Sequence, residues 1–213
     1  MKERTVQLVE KFLREQNDLR PIKREILTAA DMLIECYQKS GIVLICGNGG
    51  SNSDSEHIVG ELMKGFILKR PLPQADSDWF EKHYAAEGRL LAENLQGALP
   101  AIALGAHNSL VSAVANDLSA DSIYAQGVMG YGKEHGVLIG ISTSGNAKNV
   151  IAAAMAARFK KMKVLGLTGS AGGNLKAYCD ICLRVPAAET YLVQQYHLAI
   201  YHFLCAFVES EFF

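Results

Sequence analysis

The apolar positions along this chain alternate between two periods. Val6, Val9, Phe12 and Leu13 recur at helical spacing, Pro21 interrupts, and Ile22–Tyr37 resumes the pattern, so two helices open the chain. Ser40-Gly41 ends the second helix. Ile42–Cys46 then runs apolar without alternation, as a parallel strand covered on both faces does.

The order repeats from there. Strands are expected over 42–46, 100–104, 137–142, 163–168 and 180–185. Helices are expected over 51–64, 107–116, 121–130, 147–160, near 173–177, and over about 189–211. Such alternation predicts an α/β fold, a three-layer α/β/α arrangement around a doubly wound parallel sheet, preceded by N-terminal helices. Residues 67–98 break the rhythm with Pro71, Pro73, an Ala75–Ser77 turn and an amphipathic stretch over Trp79–Asn94. They read as a helical insertion within one domain spanning 1–213.

Composition narrows the picture. At 213 residues the chain can bury roughly 70% of its extended surface, so its core needs no staples. A net charge of −1 offers no basic excess for a nucleic-acid backbone. No apolar run approaches the ~20 residues of a membrane span, and the charged start Met1-Lys2-Glu3-Arg4 does not resemble a secretory leader. A cytoplasmic protein is expected. Cysteines 36, 46, 179, 182 and 205 are odd in number and sit in apolar segments. Cys179-Asp180-Ile181-Cys182 has no second pair with which to build a four-thiolate zinc site, and it lies on a strand rather than at a helix start. Buried thiols are expected.

In open α/β sheets ligands bind beyond the carboxyl ends of the strands. After the first strand comes Gly47-Asn48-Gly49-Gly50-Ser51, and after the third Ser142-Thr143-Ser144-Gly145-Asn146; each runs into a helix. Glycines let backbone amides turn toward a ligand, and a helix N-terminus adds free N–H groups and a positive dipole end. The pair suits a phosphate. The spacing matches neither Walker A nor GxGxxG, so no nucleotide or organic cofactor is expected. The turn Thr168–Gly173 reads as a plain turn.

His57 and Glu61 stand four residues apart on one helical face, where they can share a divalent ion or move protons. The closing helix supplies Gln194, His197 and His202, whereas His83, His107 and His135 sit in loops or the insertion and are expected in solvent. Gln194 and His202 lie about 12 Å apart along a regular helix. Either the helix starts after Gln194, or a neighbouring subunit supplies one of the two.

Together Cys46–Ser51, His57–Leu62, Asn116-Asp117, Gly140–Asn146, Gln194 and His202 resemble the sugar isomerase (SIS) domain family, and within it the heptose-phosphate branch. The likeness covers about residues 5–211 outside the insertion. It implies a flavodoxin-like core and a homotetramer with sites shared between subunits. It also implies conversion of sedoheptulose 7-phosphate to D-glycero-D-manno-heptose 7-phosphate through an enediolate. By position it implies that Asn48, Gly49, Gly50, Ser51, Glu61, Asn116, Asp117 and Gln194 contact the sugar, and that Ser142, Thr143 and Ser144 bind its phosphate. It makes Glu61 and His202 the acid/base pair, and His57, Glu61, Gln194 and His202 the ligands of one zinc per site. The chain departs from that pattern at Ala147 (usually Ser), Tyr191 (usually Asp), Gly65 (usually Arg) and in its long insertion. Another sugar phosphate, or a non-catalytic phosphosugar-binding role, are the alternatives these departures leave open.

Overall fold

The computed structural model describes residues 1–213. Five strands, β1 (Val43–Gly47), β2 (Ala101–Ala103), β3 (Val137–Ile141), β4 (Lys163–Thr168) and β5 (Ile181–Arg184), form one wholly parallel sheet in the order β2-β1-β3-β4-β5. This is the flavodoxin-like order, with its switch point between β1 and β3. Every residue of β1 and β3 is buried, as their unbroken apolar runs require of strands covered on both faces.

One face carries α1 (Glu3–Glu15), α2 (Lys23–Gln38), α3 (Gly50–Met63) and α8 (Thr190–Phe212), whose apolar residues form the larger core, with Phe12 stacked on Phe203 at 4.3 Å. The other carries α6 (Ile123–Tyr131) and α7 (Lys148–Phe159) over a smaller core of Leu44, Val128, Leu138, Val150 and Val164. A further helix, α5 (Asn108–Asp117), packs against α6. Observed ends differ from the expected ones by one or two residues. Short 3₁₀ turns at 17–22, 120–122 and 175–178 replace the Pro21 break, the start of the 121–130 helix and the helix near 173–177.

The insertion differs more. Its helix, α4 (Gln74–Asn94), begins five residues before the expected Trp79 and breaks at Ala85, where φ is +49°. Alanine at positive φ is strained, so the break runs against the local preference of the residue that carries it. One antiparallel bridge between Pro71 and Gln96 closes the base of the excursion. Trp79 and Tyr84 on the first half and Leu90 and Leu91 on the second are exposed.

The segment joining α3 to the insertion is tied down by a buried ion pair. Arg70 Nε donates to Glu209 Oε1 at 2.7 Å, and neither side chain reaches solvent. The Glu209 carboxylate also accepts from the amides of Phe66, Ile67 and Leu68 at 2.8, 2.8 and 3.0 Å. Burial alone would raise its pKa, but those amides and the guanidinium outweigh it and hold the carboxyl below its ordinary value. Arg70 spends its other donors on the carbonyls of Leu62 and Glu61, capping the end of α3. No helix is long and apolar enough to cross a membrane.

Candidate active site

β1 and β3 are adjacent, with Gly47 paired to Ile141, so the two glycine- and hydroxyl-rich loops emerge side by side at the switch point. They are joined by a reciprocal amide pair. Asn48 Nδ2 donates to Asn149 Oδ1 at 2.8 Å, and Asn149 Nδ2 donates to Asn48 Oδ1 at 2.9 Å. The Tyr124 hydroxyl donates to the Gly47 carbonyl beneath them. Asn149 and Tyr124 were not among the sequence candidates, since nothing in their spacing links residues about a hundred and about eighty positions from Asn48 and Gly47.

The amides of Thr143, Ser144, Lys148 and Asn149 make no hydrogen bond within the chain, and Ala147, the residue before α7, offers the helix no side-chain cap. These are free donors at a helix N-terminus, the arrangement that binds a phosphate. Ser142 is buried and its Oγ accepts from the Ala147 amide at 3.4 Å, while Thr143 is half-buried and Ser144 exposed. Of the first loop, Asn48, Gly49 and Gly50 are exposed and Ser51 is buried.

The third turn does more than reverse the chain. The Gly169 amide donates to the Thr143 carbonyl at 2.9 Å, and the Leu175 amide to that of Gly145, also at 2.9 Å. Gly145 has φ +69°, and a Cβ there would lie 2.1 Å from the Gly172 carbonyl oxygen. Both conformation and space therefore require glycine. Gly145→Ala should weaken binding of inorganic phosphate about tenfold without unfolding the chain, as measured by calorimetry beside a thermal melt.

The second half of the site sits on α3 and α8. His57 Nε2 lies 3.2 Å from Glu61 Oε1 and 3.4 Å from His202 Nε2. Phe66 stacks on the His202 ring at 5.5 Å. Burial, then the neighbouring His57, hold the His202 imidazole below its ordinary pKa, against the pull of Glu61. Glu61 also pairs with Lys64 at 3.4 Å. The donor atoms of His57, Glu61 and His202 all lie within 4.8 Å of one another. Two imidazole nitrogens and one carboxylate oxygen match the donor set of a catalytic zinc site, three protein ligands with a position left open.

Gln194 is placed elsewhere. α8 begins at Thr190 and runs unbroken through both Gln194 and His202, so the possibility that the helix starts after Gln194 is excluded. α3 and α8 run side by side in the same direction. Gln194 therefore meets Gly50 at the start of α3, where a Cβ would come 2.5 Å from its Nε2, while His202 meets His57 two turns on. Asn116 and Asp117 lie at the exposed end of α5 and hydrogen bond to each other (2.8 Å), not to either loop.

His83, His107 and His135 are exposed, as expected. His197 is fully buried, its ring nitrogens without hydrogen-bond partners and its pKa pushed down to about 4 by burial. Of the cysteines, 36, 46 and 205 are buried as expected, but Cys179, in the turn before β5, and Cys182, on that edge strand, are only half-buried.

The sequence model described as "SIS domain" matches residues 6–88 and 77–169. The phosphoheptose isomerase of Rhodospirillum rubrum is 38% identical over 87% of this chain and 85% of its own. That of Clostridium acetobutylicum is 38% identical over 89% and 83%. Among solved structures, phosphoheptose isomerase GmhA from Neisseria gonorrhoeae superposes with a TM-score of 0.72 at 30% identity, covering 97% of this chain and 98% of that one. A phosphoheptose isomerase from Francisella tularensis gives 0.74 at 31%, over 98% and 94%.

Proposed function

The chain belongs to the SIS domain family, and on that footing we propose that it is an aldose–ketose isomerase converting sedoheptulose 7-phosphate to D-glycero-D-manno-heptose 7-phosphate. The observation that carries this reading is the meeting of Glu61 and His202, 141 positions apart in sequence, in one cluster with His57. A protein that only held a phosphosugar would have no need of a carboxylate facing an imidazole.

Moving a carbonyl from C2 to C1 requires one proton to leave carbon and another to move between two oxygens. The Glu61 carboxylate takes the proton from C1 and returns it to C2. His202 would pass the hydroxyl proton between O1 and O2. The enediolate between those steps carries negative charge, which the amides of the first loop would face. The free amides of Thr143, Ser144, Lys148 and Asn149 hold the phosphate, with the hydroxyls of Ser142, Thr143 and Ser144 beside them. Binding energy remote from the reacting carbons thereby supplies positioning.

His57, Glu61 and His202 would hold one zinc ion per site, with Gln194 of a neighbouring subunit as a further ligand. Bound there, the ion would polarise the carbonyl oxygen and stabilise the charge that develops on it. The one-chain separation of Gln194 from the cluster supports a homo-oligomer, a tetramer by family likeness, with sites shared between subunits; Asn116 and Asp117 reach the sugar in the same assembly. The protein acts in the cytoplasm. Elemental analysis should find one zinc per chain, and most of the activity should disappear in chelator and return with added zinc. Undiminished activity in chelator, with no stoichiometric divalent metal, would leave Glu61 and His202 acting without one.

A screen of C5 to C7 ketose phosphates read by product NMR tests the substrate. Turnover of the heptulose phosphate in preference to shorter sugars is expected. Ala147 at the start of α7, where a hydroxyl is usual, favours a second reading in which a different sugar phosphate turns over fastest.

A further inference from the structure

Behind the cluster lies a hydrogen-bonded chain that neither the motifs nor the relatives' names assign. The Tyr201 hydroxyl lies 3.0 Å from His57 Nδ1 and donates to Asp54 Oδ1 at 3.2 Å. Tyr201 is 2% exposed, and its ring meets that of His57 edge-on with centroids 5.5 Å apart. Asp54 sits three residues before His57 on α3, so it presents its carboxylate one turn behind the imidazole.

A tyrosine hydroxyl has one proton. The Asp54 carboxylate can only accept, so it takes that proton, and the phenol oxygen is left as an acceptor toward His57. The imidazole must then carry its own hydrogen on Nδ1. Its Nε2, which faces Glu61 and His202, keeps a free lone pair. We propose that Asp54 and Tyr201 are positioning residues that lock His57 in the Nδ1–H tautomer, so that its Nε2 is presented to the cluster as a ligand and acceptor. This deepens the functional reading above and rests on it for its purpose, though not for its geometry.

In the reverse arrangement the phenol donates to His57 Nδ1, which strips the Asp54 carboxylate of its donor and places the imidazole hydrogen on Nε2, toward Glu61 Oε1 at 3.2 Å and His202 Nε2 at 3.4 Å. Outer partners of this kind fix the ring and typically change metal affinity by about 10–100-fold when removed. Tyr201 also adjoins His202 in sequence, so α8 delivers both a cluster member and the group that orients its neighbour.

The test uses the full chain labelled with ¹⁵N-histidine. In the wild type, the His57 ring should show a protonated Nδ1 and an unprotonated Nε2. Tyr201→Phe keeps the ring and removes the hydroxyl; it should shift His57 toward the Nε2–H form. It should also weaken zinc binding, titrated with the metal alone, by about 10–100-fold. Asp54→Asn should move both readouts the same way, and is the second arm should Tyr201→Phe fold poorly. A wild-type His57 already protonated on Nε2, or variants with unchanged tautomer and zinc affinity, would overturn the inference. A chain with the Nδ1–H signature and tight zinc binding that isomerises no ketose phosphate would instead sink the functional reading and leave this one standing.

Discussion

Glu61→Gln should lower the rate of isomerisation by about 10³-fold or more, within the range general acid–base catalysis supplies, while binding of the phosphosugar remains measurable by calorimetry. Gln keeps the length and one oxygen of the side chain but cannot accept the carbon proton. The loss should therefore fall on kcat, since the amides at the start of α7 still seat the phosphate. Run in D₂O, the wild type should place solvent deuterium at C2 of the product, because the proton taken from C1 waits on a carboxylate paired with the exposed, solvent-exchanging ammonium of Lys64. Product free of deuterium would argue for direct transfer between the carbons and against a Glu61-borne proton. Equal turnover by the variant would remove Glu61 from the chemistry altogether.

A carboxylate one turn from a histidine, and two loops at strand ends, are visible in the sequence itself. The strands were legible because parallel strands buried on both faces cannot alternate, so Val43–Gly47 and Val137–Ile141 announce themselves as apolar runs. The distance between Gln194 and His202 was legible too, since a helix fixes its own rise. The partners were not. Nothing local says that Asn48 pairs with Asn149, or that Tyr201 stands between Asp54 and His57, because each contact is set by how β1 neighbours β3 or how α3 lies on α8. The break at Ala85 is hidden for the opposite reason. Alanine is the best helix former, so the local signal points away from what the insertion does there.

The Arg70–Glu209 pair carries the second large effect, and Glu209→Gln should cost about 3–5 kcal/mol, the usual result of stranding one member of a buried ion pair. For a chain of this length, that is a fall in melting temperature of roughly 6–20 °C. The substitution leaves the guanidinium buried without its counter-charge and removes one oxygen from an acceptor that three amides share. The pH dependence follows from the direction of the shift. Glu209 titrates lower in the fold than in the unfolded chain, so its contribution is complete above the ordinary carboxylate pKa and fades as pH falls through the folded value. The wild type should lose stability over that acid range, and Glu209→Gln should lose less, so the two melting curves converge. Activity should fail before the fold does. Arg70 caps the end of α3 through the carbonyls of Glu61 and Leu62, and the Glu209 anchor holds Phe66 against His202. Loosening the anchor therefore frees Glu61 and His202 at once. A variant that melts many degrees lower yet isomerises normally at 20 °C would show that the anchor serves stability alone.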